Sequence, residues 1–446
     1  MTGRRAFLRT IGGAALVTAA RGDNVDVLES GGTAAVGAGV DDWRKRFPAL
    51  RQRIADGPLT YLDSAATTLR PTEVIEAVAE FYRRDNANPG RTLHTLARRA
   101  DAELEGARAS VARFLNAGDA LEIVWTRGTT EAINLVATSW GGANLRRDDE
   151  IVLTLAEHAS NLLPWRLAAD RAGARVRFVA LDENGSPGLD HLESLLSRRT
   201  RLVAFSHVSN VLGHVTPAAE ICSRARSVGA RVLIDAAQSV PHVAVDVRAL
   251  GCDFLAFSSH KMLGPMGTGV LWARRELLEA MPPYQAGSNM AHDVGIDGPV
   301  HWSPGALKFG AGTPNVSGPV GLAAAIDFLG DIGFAALREH EQTLTRHALD
   351  RLRRIDGLRV LGPTTLDDRI AVFSFTLGRL SGPEIVAALD TEGIAVRGGD
   401  LASLPLLKHF GTSTAARASC FLYTTVEEID RLAESLERVA RRSRTA

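Results

Sequence analysis

From Tyr61 onward the chain alternates short apolar runs with stretches of amphipathic helical spacing, and this alternation limits the possible fold more than any other feature. A repeated strand–helix order leaves few solutions besides an α/β domain on a largely parallel sheet. Strands are predicted over 122–126, 150–154, 175–181, 201–208, 231–237 and 253–259. Their near-continuous hydrophobicity suits strands covered on both faces. Helices are predicted between them, including 130–139, 189–196 and 217–228. After about Phe328 the texture changes. A helix over 333–354 sets Leu337, Leu344, Ala348 and Leu352 at helical spacing. An alternating strand over 370–377, a helix over 382–392, a short strand over 394–396 and a strand over 417–423 follow. The last helix starts at Thr425, where Glu428 completes a capping box. The expected organisation is a large domain over 41–328, whose N-terminal segment also contributes to a smaller C-terminal α+β domain over 329–446.

Lys plus Arg equals Asp plus Glu, 51 each, so no overall field recruits nucleic acid or an anionic membrane. The three cysteines, Cys222, Cys252 and Cys420, form no CxxC pair, which argues against a disulfide framework or a zinc site. At the N-terminus, Arg4 and Arg5 precede Phe7–Leu8 and a weakly apolar run too short to span a bilayer. Residues 1–20 resemble a twin-arginine export signal, which predicts a periplasmic or extracellular protein. Residues 21–40, rich in Gly, Ala and Asp, read as a linker.

Four segments carry chemistry. In "FSSHKMLGPMGTG" a strand ends and Ser258, His260 and Lys261 follow at once. Ligands bind beyond the carboxyl ends of parallel strands. A lysine there suits a Schiff base with a carbonyl cofactor better than a solvated surface role. In "VLIDAAQS", Asp235 ends an apolar strand, where a carboxylate needs a partner. It either caps the next helix or faces a protonated pyridine nitrogen, with Gln238 in reach of the same ligand. In "TRGTTEAINL", Gly128, Thr129 and Thr130 open a helix whose free N–H groups suit a phosphate. In "EHASNLLPW", His158 lies just past a strand and offers a flat ring. The glycines of "GPMGTG" follow the Ser-x-His-Lys segment and do not open a βαβ unit, so a nicotinamide fingerprint fails.

The order of these segments, with Asn210 in "SHVSNVLG", resembles the class V aminotransferase family of fold-type I pyridoxal-phosphate enzymes, close to SufS-like cysteine desulfurases and selenocysteine lyases. The motifs "YLDSAATTLRP", "NANPGRTLHTLA", "RGTTEAIN", "EHASNLLPW", "DAAQSVPH", "FSSHKMLGP", "AGTPN" and "TTVEEID" carry the likeness over about 42–439. The resemblance implies a mainly parallel, seven-stranded-type sheet, pyridoxal 5′-phosphate as cofactor, an amino-acid substrate and a homodimer. It implies that Lys261 links covalently to the cofactor and later moves the substrate's α-proton. Asp235 would hold the pyridine nitrogen and Gln238 the phenolic oxygen, with His158 stacked on the ring. Thr129, Thr130, Ser258 and His260 would bind the phosphate, with Thr313 reaching over from a partner subunit. Asn210 and Arg397 fall in the substrate region, and Arg417 would grip the α-carboxylate.

One stretch departs from the resemblance. In the desulfurases, the loop matching "RGGDLASLPL" carries two histidines and then the catalytic cysteine. Here Asp400 and Leu401 replace the histidines and Ala402 stands at the cysteine position. A persulfide mechanism needs an accessible thiolate. The expectation is therefore a C–S or C–Se lyase that works without a protein thiol. Transamination and epimerisation remain alternatives, and a non-catalytic relative is a remote one.

Overall fold

Seven strands form the large sheet of the computed structural model, which describes residues 39–445 apart from 56, 91–92 and 294–296. In chain order they are β1 (Ile123–Thr126), β2 (Glu150–Thr154), β3 (Arg175–Val179), β4 (Thr200–Ser206), β5 (Arg231–Asp235), β6 (Phe254–Ser258) and β7 (Gly269–Ala273). Their spatial order is β1-β7-β6-β5-β4-β2-β3. Strands β3, β2, β4, β5 and β6 pair in parallel, and β7 runs antiparallel between β6 and β1. Six of the seven are the predicted strands. The seventh, β7, is apolar but follows a glycine-rich loop that masked it as a strand.

Alternate residues of each strand feed two cores, one per face, as the two-residue side-chain period requires. Val152, Val203, Phe205, Ile234 and Phe257 pack on one side. Leu153, Leu202, Ala204, Leu233 and Ala256 pack on the other. Strand β3 departs from the doubly covered expectation: it is the sheet edge, and Arg175 is exposed there while Val179 is buried.

A second sheet of four strands contains β8 (Leu358–Val360), β9 (Val372–Leu377), β10 (Arg397–Gly399) and β11 (Ala415–Ser419), in the order β8-β9-β11-β10. The predicted strand over 417–423 is thus shifted: it ends at Ser419, and Cys420 lies just beyond it rather than within it. Strand β9 is buried along almost its whole length instead of alternating, because Phe373 and Phe375 face one packed core while Val372 packs with Val208 and Ser374 bonds to the Val211 carbonyl on the other face. Leu344, Ala348 and Leu352 of the helix Phe334–Arg353 join that core, while Leu337 packs with the large sheet. The final helix, Val426–Thr445, starts on the expected capping box, with reciprocal bonds between Thr425 and Glu428. The N-terminal segment reaches the second sheet: Thr60–Tyr61 pairs in parallel with Ile394–Ala395, and Asp63 bridges to Ser419.

The export signal expected over 1–20 lies outside the described residues, as does the linker except at Gly39 and Val40. Val40 already opens a short helix, Val40–Lys45. Among the described residues no single helix is long and apolar enough to cross a membrane.

Candidate active site

Segments that leave the carboxyl ends of β1, β4, β5 and β6 converge on one cavity of about 390 Å³, within the range of small-molecule sites. Thr129, Thr130, His158, Asn210, Asp235, Gln238, Ser258, His260, Lys261, Arg397 and Arg417 all line it. Of the residues singled out in the sequence only Thr313 does not, and it is exposed on this chain. Ala65, Ser160, Ser206, Asp400 and Ala402 are also part of the wall.

One end is built by the start of the helix Thr129–Asn144, whose N-cap is Gly128. The Thr129 amide donates to Ser258 Oγ at 2.8 Å, and the two hydroxyls lie 2.7 Å apart. Thr130 Oγ1 meets Ser160 Oγ at 2.7 Å. This end approaches β7 so closely that a Cβ on Gly269 would lie 2.4 Å from the Gly128 Cα. Free amides and hydroxyls at a helix N-terminus favour an anion.

The middle of the cavity holds Lys261, half-buried, and Asp235, buried. Burial pulls the Lys261 ammonium down to about 8; Asp235 opposes this and Arg417 adds to it. Among the described residues no carboxylate lies within ion-pair distance of Lys261. Burial also raises the Asp235 carboxyl above its ordinary range, although Lys261 and the Ala237 amide, 2.9 Å from Oδ1, counter this. A buried carboxyl in this state is stabilised by a cationic partner. His158 is held neutral, its pKa lowered to about 4 by burial and by Lys261 and Arg417. Its Nδ1 accepts from the Ser160 amide at 3.1 Å, which leaves the proton on Nε2. Gln238 donates to the Ala65 carbonyl at 2.7 Å.

Behind this layer sits a carboxyl that the sequence reading passed over. Glu157 is fully enclosed and burial pushes it up to about 7. Thr154, Asn161 and Ser206 donate to it at 2.5, 2.6 and 2.8 Å. Its place in the "EH" pair was the available signal.

The far end is cationic. Arg397 on β10 and Arg417 on β11 are direct cross-strand partners. Like charges so placed repel, and Asp63 offsets the repulsion: its Oδ2 accepts from Arg397 at 2.6 Å and its Oδ1 from Arg417 at 3.4 Å. Arg417 is buried, donates to the Asn210 carbonyl at 3.0 Å, and has no partner for its Nε among the described residues. This is no surface ion pair. A buried guanidinium with an unpaired N–H suits a carboxylate ligand.

The loop after β10 is pinned in an uncommon conformation. Leu401 and Ala402 have φ of 52° and 53°, which costs a non-glycine residue roughly 1 kcal/mol or more each. Asp400 Oδ1 accepts from the Ala402 amide at 3.0 Å. The Ala402 carbonyl accepts from the Ala159 amide at 2.7 Å, and Asn210 Nδ2 donates to the Leu401 carbonyl at 3.0 Å. Asn210, expected to touch substrate or cofactor, therefore also anchors this loop. All three cysteines are buried and none lines the cavity. Burial pushes Cys222 up to about 12 and raises Cys252 and Cys420 well above the ordinary thiol range.

These residues fit pyridoxal phosphate: a half-buried amine without a counter-ion, a buried carboxyl lacking a cation, and an anion-binding helix start all face one cavity. Because only an uncharged amine attacks a carbonyl, uptake of pyridoxal phosphate by the apoprotein should quicken with pH up to about 8 and then level off. Stopped-flow absorbance would check this. A profile still climbing toward pH 10 would mean an ordinary, solvated lysine.

Residues 60–432 match the family described as aminotransferase class-V. A cysteine desulfurase of Synechococcus elongatus is 45% identical over 405 residues, 91% of this chain; the chain spans 64% of that relative's length. The cysteine desulfurase CsdA of Escherichia coli, solved with an S-sulfonic acid, superposes with a TM-score of 0.83 at 38% identity, covering 90% of this chain and 98% of CsdA. The cystine C–S lyase C-DES, solved with its product cysteine persulfide, superposes with a TM-score of 0.76 at 25% identity, covering 88% and 99%. The architecture is that of a fold-type I enzyme, and its cofactor is pyridoxal 5′-phosphate. The chain belongs to the class V aminotransferase family.

Proposed function

We propose that the protein is a lyase that breaks a C–S or C–Se bond of an amino acid by β-elimination, without using a thiol of its own. The observation that carries this reading is Ala402. It lines the cavity on the pinned loop, at the position where the resemblance would put a nucleophilic cysteine. The three thiols of the chain are enclosed elsewhere and held protonated by burial, and a thiol in that state neither attacks nor carries sulfur.

Bound pyridoxal phosphate supplies an electron sink that lets a proton leave the amino acid's α-carbon. The chain's residues have the remaining tasks. Thr129, Thr130, Ser258 and His260 would hold the phosphate, Asp235 the ring nitrogen and Gln238 the phenolic oxygen, with neutral His158 lying against the ring. Arg417 would bind the substrate carboxylate, oriented by Asp63 and the Asn210 carbonyl. Lys261, whose amine sits near neutrality, would take the α-proton at Nζ. Loss of the β-substituent with its electron pair then completes elimination.

Alkylation tests the thiol-free reading. Holoenzyme treated with excess iodoacetamide under native conditions should keep its lyase rate within about twofold, because no thiol is both exposed and ionised. Inactivation that follows labelling of one cysteine would overturn it.

The protein is also proposed to work as a homodimer. Thr313 is exposed away from the cavity it is expected to complete, and Tyr82, Leu93 and Met266 are 57%, 93% and 67% exposed on a single chain. Export is proposed from Arg4 and Arg5; changing both to Lys and fractionating cells tests it.

A further inference from the structure

Arg369 is 1% exposed, yet it faces no carboxylate among the described residues. Burial lowers its pKa to about 10 and Arg353 adds to this, so the guanidinium is still charged at neutral pH. Its hydrogen-bond partners are main-chain carbonyls. Nη1 donates to Pro363, and Nη2 is shared between Val372 at 2.7 Å and Leu212 at 3.4 Å. Nε has no partner among the described residues. The guanidinium also lies 5.0 Å from the centre of the Phe373 ring, a favourable place for a cation. An unbalanced buried charge is costly, and an apolar side chain of similar volume would be the more stable filling. Stability alone therefore does not account for Arg369.

What the charge reaches is the loop after β4. Val208 and Val215 bridge across the base of this loop, and its carbonyls meet the second sheet in succession. Asn210 accepts from Arg417 Nη1 at 3.0 Å, and Val211 accepts from Ser374 Oγ at 2.6 Å. Leu212 accepts from Arg369 Nη2 at 3.4 Å, and Gly213 accepts from the Ile370 amide at 2.9 Å. Each donor comes from the second sheet or from the segment leading into β9. The fit is close: a Cβ on Gly213 would lie 2.8 Å from the Ile370 carbonyl oxygen. Asn210 ends the row, where its carbonyl aims Arg417. Its side chain holds the Leu401 carbonyl at 3.0 Å and Ser403 Oγ at 3.2 Å.

We infer that Arg369 is a positioning residue for the substrate's α-carboxylate, bracing the loop whose Asn210 carbonyl orients Arg417. It does not line the cavity, so it acts only through that loop. The inference rests on Arg417 as the carboxylate ligand and is indifferent to which substrate bond breaks. Arg417 is steered by two contacts, the Asn210 carbonyl and Asp63 at 3.4 Å. A displacement of about 1 Å in a positioned group costs on the order of 10²-fold, so slackening the first contact should cost about tenfold.

The test titrates holoenzyme with L-alanine and with ethylamine, which is alanine without its carboxylate. Each Kd is read from the absorbance of the bound cofactor. Alanine has no β-substituent to lose, so binding is read apart from elimination. Wild type should bind alanine at least about tenfold more tightly than ethylamine, the scale of one hydrogen-bonded charge. Arg369→Met fills similar space without donor or charge; it should weaken alanine by about tenfold and leave ethylamine within about twofold. Ser374→Ala removes the donor to the neighbouring Val211 carbonyl and should weaken alanine alone by about threefold. Should Arg369→Met fail to fold, Ser374→Ala decides. Folded variants that weaken both ligands alike, or neither, overturn the brace and leave Arg369 a part of the packing only. A wild type without preference for alanine sinks Arg417 as the carboxylate ligand and the brace with it, whatever the lyase assay shows.

Discussion

Lys261→Ala should lower turnover by at least about 10³-fold, the scale set by losing a positioned proton-transfer group, and should leave nothing for borohydride to fix covalently to the chain. The wild-type holoenzyme should be yellow and retain its colour on Lys261 after reduction. The variant should nevertheless fold. Below about pH 8 the wild-type amine is charged both folded and unfolded, so burying it is at its most costly. Between about 8 and 10.5 the folded amine sheds its proton first and that cost falls with rising pH. Alanine removes the cost at every pH. Apo Lys261→Ala should therefore melt no lower than the apo wild type at pH 7, with the difference narrowing by pH 10. Activity within tenfold of wild type, or reductive labelling at another lysine, would show that the Lys261 amine is not the reactive one.

Asp235→Asn carries the second large effect. The side chain keeps its shape and its contact with the Ala237 amide at 2.9 Å, so the loss isolates the charge. An enclosed carboxylate facing a ring nitrogen acts where charge develops, and removing such a group costs roughly 10²–10³-fold in kcat. Cofactor affinity should fall much less than kcat, because the helix start at Thr129 and Ser258 still provides the anion site. A loss confined to cofactor affinity would reduce Asp235 to a tether.

Much of this site was legible in the sequence because its parts are local. Ser258, His260 and Lys261 follow one strand, Asp235 and Gln238 end another, and Thr129 and Thr130 open one helix. Strand ends in a parallel sheet bring such segments together without further instruction. The roles assigned to them came from the family resemblance. What stayed hidden depends on contacts far apart in the chain. Asp63 joins Arg397 and Arg417 across 334 and 354 residues, and no local pattern predicts a carboxylate between two cross-strand arginines. The conformation of Leu401 and Ala402 was equally opaque, since neither is a glycine and the loop is held by Asn210 and Ala159 from other elements. The edge position of β3 had a visible signal in its alternating arginines, Arg175 and Arg177. Glu157 had only its adjacency to His158; its three donors and raised pKa emerge from the packed structure.

The central claim is that carbon–sulfur cleavage here is elimination rather than thiol-assisted desulfuration. Both remove sulfur from an amino acid, but they leave different carbon skeletons. Elimination yields pyruvate and ammonia, whereas attack by a protein thiol on sulfur leaves a carbanion that is protonated to alanine. The most direct measurement is a quantitative product analysis of iodoacetamide-treated holoenzyme turning over cysteine. Pyruvate and sulfide in equal amounts, with no alanine, is the predicted result. Alanine as the carbon product, or a keto acid or an inverted amino acid that keeps its sulfur, would contradict it.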